Sequence, residues 1–114
     1  MAVIYHNPRC GTSRNVLQAL QDHGHQVEVV EYLKTPLNRD QLARLIADAG
    51  ISVRDAVRSK EALFTELGLD DPSVGDDALL DAMAANPILM NRPIVVTEKG
   101  TRLCRPSETV NEIL

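Results

Sequence analysis

The chain has 114 residues, 44% apolar and 25% charged, with a formal net charge of −4. That is enough chain for one packed core and too apolar for a disordered polypeptide. With 3% aromatic residues and an acidic balance, it has neither the stacking platform nor the basic footprint of a nucleic-acid binder.

Residues 2–5, Ala-Val-Ile-Tyr, are too short for a helix and rich in β-formers, so a buried strand is predicted. The start of the chain has no basic region or cleavage site, and no signal peptide is expected. His6-Asn7-Pro8-Arg9-Cys10-Gly11 reads as a loop from its Asn-Pro and Gly content. A helix follows from Thr12 or Ser13 to about His23, with Val16, Leu17 and Leu20 on one face and Gly24 as its stop. Residues 27–32 are β-branched and partly alternating, a second strand. Strand, helix and strand within about 30 residues form a βαβ unit with parallel pairing and a right-handed crossover.

Asn38 and Gln41 have the form of a capping box, opening a helix that carries Leu42, Leu45 and Ile46 and ends at Gly50. Ser52 caps a short helix reaching Val57, and residues 61–67 read as another, stopped by Gly68. A stronger helix runs from Asp76 to about Asn86 with Leu79, Leu80 and Met83 as its stripe. None of these stretches approaches the roughly 18 apolar residues that cross a bilayer, so no membrane partner is expected. Residues 94–97 and 101–104 form a hairpin around Glu98-Lys99-Gly100, and a closing helix covers 108–114 beyond Pro106. The order is βαβ, then helices, then ββα. It predicts an α/β, thioredoxin-like four-stranded mixed sheet, one domain over 1–114 with an inserted helical layer at about 33–91.

Cys10 falls where the first strand hands over to the first helix. Free amides and the macrodipole favour an anion there, which stabilises a thiolate and predicts a pKa below about 8.5. His6, Arg9 and Arg14 add cationic character nearby. A small buried hydrophobe is the other common fate of a free cysteine; the strand-to-helix loop argues for reactivity. Ser13 stands where a dithiol oxidoreductase has its second cysteine, so a Cys-x-x-Cys disulfide is excluded. Val16 stands where a phosphatase-type anion loop needs arginine. No glycine-rich nucleotide cradle occurs, and three scattered histidines with two distant cysteines give no metal spacing, so no metal and no bound cofactor are expected.

A single-thiol nucleophile remains, and it depends on an external thiol for any redox cycle. Two cysteines are too few for a secreted disulfide scaffold, which points to the reducing cytoplasm. Ser13 can either hydrogen-bond the thiolate or cap the helix. Cys104, near the end of a predicted strand, reads as buried filler rather than a resolving thiol. Nine arginines against three lysines suit planar recognition of an oxyanion, although compositional drift gives the same bias. Arg58, Arg92 and Arg105 converge on one sheet edge in this topology, yet each alone reads as a surface charge. Arg92-Pro93, entering a strand, is a candidate cis peptide.

The segment Tyr5-His6-Asn7-Pro8-Arg9-Cys10-Gly11-Thr12-Ser13-Arg14-Asn15 resembles the active-site segment of the glutaredoxin-linked arsenate reductases. Asn91-Arg92-Pro93-Ile94-Val95-Val96 and Thr101-Arg102-Leu103-Cys104-Arg105-Pro106-Ser107-Glu108 resemble that family's two later signatures. Ile51-Ser52-Val53-Arg54-Asp55-Ala56-Val57-Arg58 resembles its middle segment, so the likeness runs through essentially the whole chain. The resemblance implies that Cys10 attacks arsenate, that glutathione attacks the adduct as co-substrate, and that glutaredoxin resolves it as arsenite leaves. It implies that His6 and Ser13 hold Cys10 as thiolate, that Arg58, Arg92 and Arg105 bind the oxyanion, and that Pro93 is cis. The same fold also serves relatives that act as regulatory binding proteins through a Cys-x-x-Cys switch, which Ser13 removes here. A glutathione-dependent thiol reductase with another substrate is the remaining alternative.

Overall fold

The computed structural model describes residues 1–114. Its four strands are β1 (Ala2–His6), β2 (Val27–Glu31), β3 (Ile94–Thr97) and β4 (Gly100–Leu103), in the sheet order β2-β1-β3-β4. β1 runs parallel to β2, with Ile4 opposite Val29, and antiparallel to β3, with Ile4 opposite Val95. β3 and β4 form the expected hairpin, with Ile94 opposite Leu103. Gly100 sits at φ +148 in its turn, and a Cβ there would lie 3.2 Å from the Arg102 guanidinium, so the turn requires glycine.

The α-helices are α1 (Gly11–Asp22), α2 (Arg39–Asp48), α3 (Val53–Ala56), α4 (Ala62–Glu66) and α5 (Asp76–Ala85). α1 begins one to two residues earlier than the sequence suggested, which makes Cys10 itself the residue that precedes the first helical turn. The capping box of α2 is complete: Asn38 Oδ1 accepts from the Gln41 amide, and Gln41 Oε1 accepts from the Asn38 amide. Ser52 caps α3 through the Asp55 amide. The closing segment differs from expectation, being a 3₁₀ turn over Ser107–Glu112 rather than an α-helix. Val110 within it and Ile113 just after it are buried and three apart, the repeat of a 3₁₀ turn.

The sheet separates two apolar cores. Fourteen buried residues on one face join α2, α3, α4 and α5 to β3, with Leu45, Ile46, Leu79, Met83 and Leu89 at their centre. Eight on the other face join α1 and the closing turn, among them Ile4, Val16, Leu20, Cys104 and Ile113. Ile94 and Val95, adjacent along β3, belong to different cores, as the two-residue repeat of a strand demands. The helices between β2 and β3 are therefore a working half of the core. No helix is long and apolar enough to cross a membrane.

The closing turn is fixed by Thr97, whose buried hydroxyl donates to the Ile113 carbonyl at 2.7 Å and accepts from the Lys99 amide at 3.1 Å. Thr97→Val keeps the volume and leaves that carbonyl without its partner. The expected loss is about 1–3 kcal/mol of unfolding free energy, read from denaturant midpoints. A midpoint equal to wild type would show that the turn is held by apolar packing alone.

Candidate active site

Three segments meet at the end of the sheet where β1 and β2 finish and β3 begins. The loop after β1 turns on the Cys10 amide, which donates to the Asn7 carbonyl at 3.0 Å. Pairing of Tyr5 with Ile94 sets this loop beside Arg92-Pro93, and that peptide is cis, as expected. A second cis peptide, Arg105-Pro106, was not anticipated. The Cys104 amide donates to the Pro93 carbonyl at 2.9 Å, which brings the end of β4 alongside.

Arg105 completes the junction. Its Nη1 lies 3.6 Å from the Cys10 sulfur and donates to the Arg92 carbonyl at 2.9 Å. Arg92 is 7% exposed. Both guanidinium groups favour the Cys10 thiolate, as does the Ser13 amide three residues into α1. Burial is the largest single influence and opposes them, but the donors together win, and the thiol is pulled down to about 7.

Arg58 is brought in by backbone rather than by sequence proximity. Its amide donates to the Leu89 carbonyl at 2.7 Å, and the Asn91 amide donates to the Ala56 carbonyl at 2.8 Å. Val57 and Met90 form an isolated antiparallel bridge between these bonds. Arg58 and Arg92 consequently share one carboxylate, Glu61, whose Oε1 is 3.3 Å from Arg58 Nε and 3.5 Å from Arg92 Nη1. Arg58 thus stands one ion pair back from the sulfur. A pocket of about 100 Å³ opens between Arg58, Ser59, Lys60, Asn91 and Arg105, without a single apolar side chain in its lining. At about 30 Å³ per water molecule, that is room for one small tetrahedral oxyanion.

His6 and Ser13 play different parts from those the residues alone suggested. Burial first, helped by Arg14 and opposed by Glu31, holds His6 below its ordinary pKa, which makes it a poor source of positive charge. The Ser13 side chain neither caps α1 nor reaches the sulfur. Its fully buried hydroxyl accepts from the Asn7 amide at 3.1 Å and meets His6 Nδ1 at 2.6 Å. The pair therefore locks the loop that carries Cys10. Arg14 donates to the Pro8 carbonyl at 2.9 Å, and the guanidinium groups that act on Cys10 are those of Arg92 and Arg105.

Four buried side-chain atoms at this edge have no hydrogen-bond partner: Arg58 Nε, Arg92 Nε, Arg92 Nη1 and Tyr32 Oη. Buried donors are normally satisfied, and two unsatisfied Arg92 nitrogens beside the thiol, with Arg58 Nε behind them across Glu61, suit an anion with several acceptor oxygens. Tyr32 was missed in the sequence because it reads as the last residue of a strand. Burial raises its pKa, with Arg92 and the Asn7 side chain opposing, so it remains a neutral phenol. Glu61 was missed too, although its spacing of three from Arg58 is that of an ion pair on one turn.

A thioredoxin-like sheet carrying one activated thiol, no neighbouring cysteine and a cluster of under-satisfied arginines describes a single-thiol site whose donors suit an anion. Comparison with known proteins makes this particular: the ArsC family model matches residues 5–113, and the chain belongs to that family. It is 59% identical over 111 residues to an arsenate reductase of Rhizobium meliloti and 56% identical over 111 residues to one of Escherichia coli K12. Each match takes in 97% of this chain and 79% of the relative. The solved arsenate reductase of Vibrio cholerae superposes with a TM-score of 0.94 at 46% identity, over 99% of this chain and 97% of that one.

Cys104 is fully buried in the second core, and burial, reinforced by Glu112 and opposed by Arg102, pushes its thiol up to about 12. The two thiols are thus predicted to behave oppositely. The alkylation rate of the native protein rises through a midpoint near pH 7, belonging to Cys10 alone, and Arg105→Ala moves that midpoint upward. Cys104→Ala leaves it in place while costing about 1 kcal/mol of stability. A midpoint unmoved by Arg105→Ala would show that Arg92 and the Ser13 amide suffice to activate the thiol.

Proposed function

We propose that this chain is an arsenate reductase in which Cys10 is the nucleophile and Arg58, Arg92 and Arg105 bind the oxyanion. The observation that carries the reading is the Arg105 guanidinium on the Cys10 sulfur, beside buried Arg92 donors that have no partner of their own. Attack by a thiolate on arsenate brings negative charges together, and the chain's overall charge of −4 does not help. The local field reverses that sign: fixed guanidinium groups and α1 amides stabilise charge where it develops, without reorganising. His6 and Ser13 act as positioning residues, holding the Asn7–Cys10 loop so that the sulfur keeps its place against Arg105.

In the first step the Cys10 sulfur bonds to arsenic and one arsenic–oxygen bond breaks, its oxygen leaving as water after protonation. No second cysteine can then close on Cys10, since Ser13 follows at the fourth position and Cys104 is locked in the core. Reducing equivalents must arrive from outside, and glutathione with glutaredoxin is the pair that fits a single-thiol cycle. Glutathione sulfur replaces a further oxygen on arsenic. Glutaredoxin sulfur then attacks the glutathione sulfur and leaves its bonding pair on arsenic. The oxygen displaced by glutathione also leaves as water, and a water molecule then hydrolyses the remaining bond between the Cys10 sulfur and arsenic(III), freeing the thiol. Arsenate and two thiols thus become arsenite, one net water and one mixed disulfide. No bound cofactor takes part, and the reducing cytoplasm is the compartment that supplies such thiols.

The test is arsenate-dependent NADPH oxidation in the presence of glutathione, glutaredoxin and glutathione reductase. Wild type should turn over only with all components, Cys10→Ser should be inactive, and Arg92→Ala should lose on the order of 10²–10³ in rate. Arg92→Ala at wild-type rate would remove the oxyanion assignment and leave a thiol reductase with a different substrate.

A further inference from the structure

Glu61 is a carboxylate placed against the arginines that the reading above assigns to an oxyanion. Its side chain is 26% exposed, and a single oxygen faces Arg58 Nε and Arg92 Nη1 at 3.3 and 3.5 Å. Neither contact has the geometry of a hydrogen bond, because both nitrogens count among the unpartnered donors. The carboxylate therefore supplies Coulombic attraction without charge-assisted hydrogen bonds, the stronger part of such a pairing. A tetrahedral anion with oxygens in line with those N–H groups would hold them better.

The backbone around Glu61 allows the exchange. Glu61 precedes the first residue of α4; its amide donates to the Arg58 carbonyl at 3.3 Å and its carbonyl accepts from the Phe64 amide at 3.0 Å. Phe64 is buried in the larger core. The turn is thus anchored by main chain and by Phe64, while the carboxylate itself has no other hydrogen-bond partner holding it in the site. It can swing towards solvent without unravelling the turn.

We propose that Glu61 is a built-in competitor for the oxyanion site. In the resting protein it holds Arg58 and Arg92 close and screens their charge; the incoming oxyanion displaces it. Two like-charged guanidinium groups would otherwise lie together half-buried with nothing between them, which is costly. Affinity for every oxyanion is thereby lowered, and a ligand must offer several acceptor oxygens to win the arginines. Departure of product is assisted by the returning carboxylate.

The proposal rests on the arginine assignment, so its test uses binding rather than turnover. Protection of Cys10 from iodoacetamide by arsenate, and separately by sulfate, is measured in wild type, Glu61→Gln and Glu66→Gln. Glu66 lies exposed at the end of α4 and controls for a general change of charge. Glu61→Gln should lower the half-protecting concentration about three- to ten-fold, while Glu66→Gln leaves it unchanged. The alkylation midpoint of Cys10 should also fall in Glu61→Gln, since Arg92 loses its neutralising partner. Weaker protection in Glu61→Gln would overturn the proposal by showing that the carboxylate orients the arginines for the ligand. Unchanged protection would overturn it equally, making Glu61 a bystander. Tighter protection without arsenate turnover in the coupled assay would uphold the competitor role and remove the reductase reading instead.

Discussion

The site depends on one contact, the Arg105 guanidinium shared between the Cys10 sulfur and the Arg92 carbonyl. It joins the loop after β1, the entry to β3 and the exit from β4 in a single hydrogen-bonded junction. It also imposes an electrostatic constraint, because Arg92 is buried beside it with two guanidinium nitrogens that lack partners. Buried positive charge is tolerated only where a negative charge answers it. The thiolate answers on one side and Glu61 on the other, so charge balance and chemical readiness come from the same arrangement.

The sheet order explains why this junction can exist. With β1 flanked by β2 and β3, the carboxyl ends of two strands and the start of a third are gathered at one edge. The reactive loop leaves there, and α1 begins there with its free amides towards the sulfur. The ten residues from Asn7 to Val16 then run from a polar network into the buried face of α1, where Ser13, Val16 and Leu20 lie in line. Catalytic geometry and core packing are parts of one continuous stretch of chain.

Much of this was legible in the sequence for physical reasons. Burial periodicity marked β1 and α1, whose buried residues repeat at the strand and helix intervals. β2 has no fully buried residue and was legible from its β-branched content. The capping residues Asn38 and Ser52 announced α2 and α3 because their side chains have local backbone partners. Residue types and resemblance singled out Cys10, Arg58, Arg92 and Arg105, but their meeting was not readable. It depends on the Val57–Met90 bridge and the Cys104–Pro93 bond, which join segments far apart in sequence. His6 as a source of positive charge was a reading of composition, and its burial, which lowers the ring's pKa, disfavours it. Ser13 as a cap failed because Cys10 holds the cap position and the hydroxyl turns inward. Tyr32 and Glu61 carried no pattern of their own, and only tertiary contact reveals them.

The separation of the two cysteines has a consequence for durability. Oxidants attack thiolates that they can reach, and here one sulfur is acidic and accessible from the site while the other is sealed among Ile4, Val95 and Ile113. Oxidative injury is therefore channelled to the reactive position and kept away from the scaffold. Oxidation of Cys10 to the sulfenic stage would then block the reactive sulfur while leaving the packed cores intact, and that stage is one that an external thiol reverses.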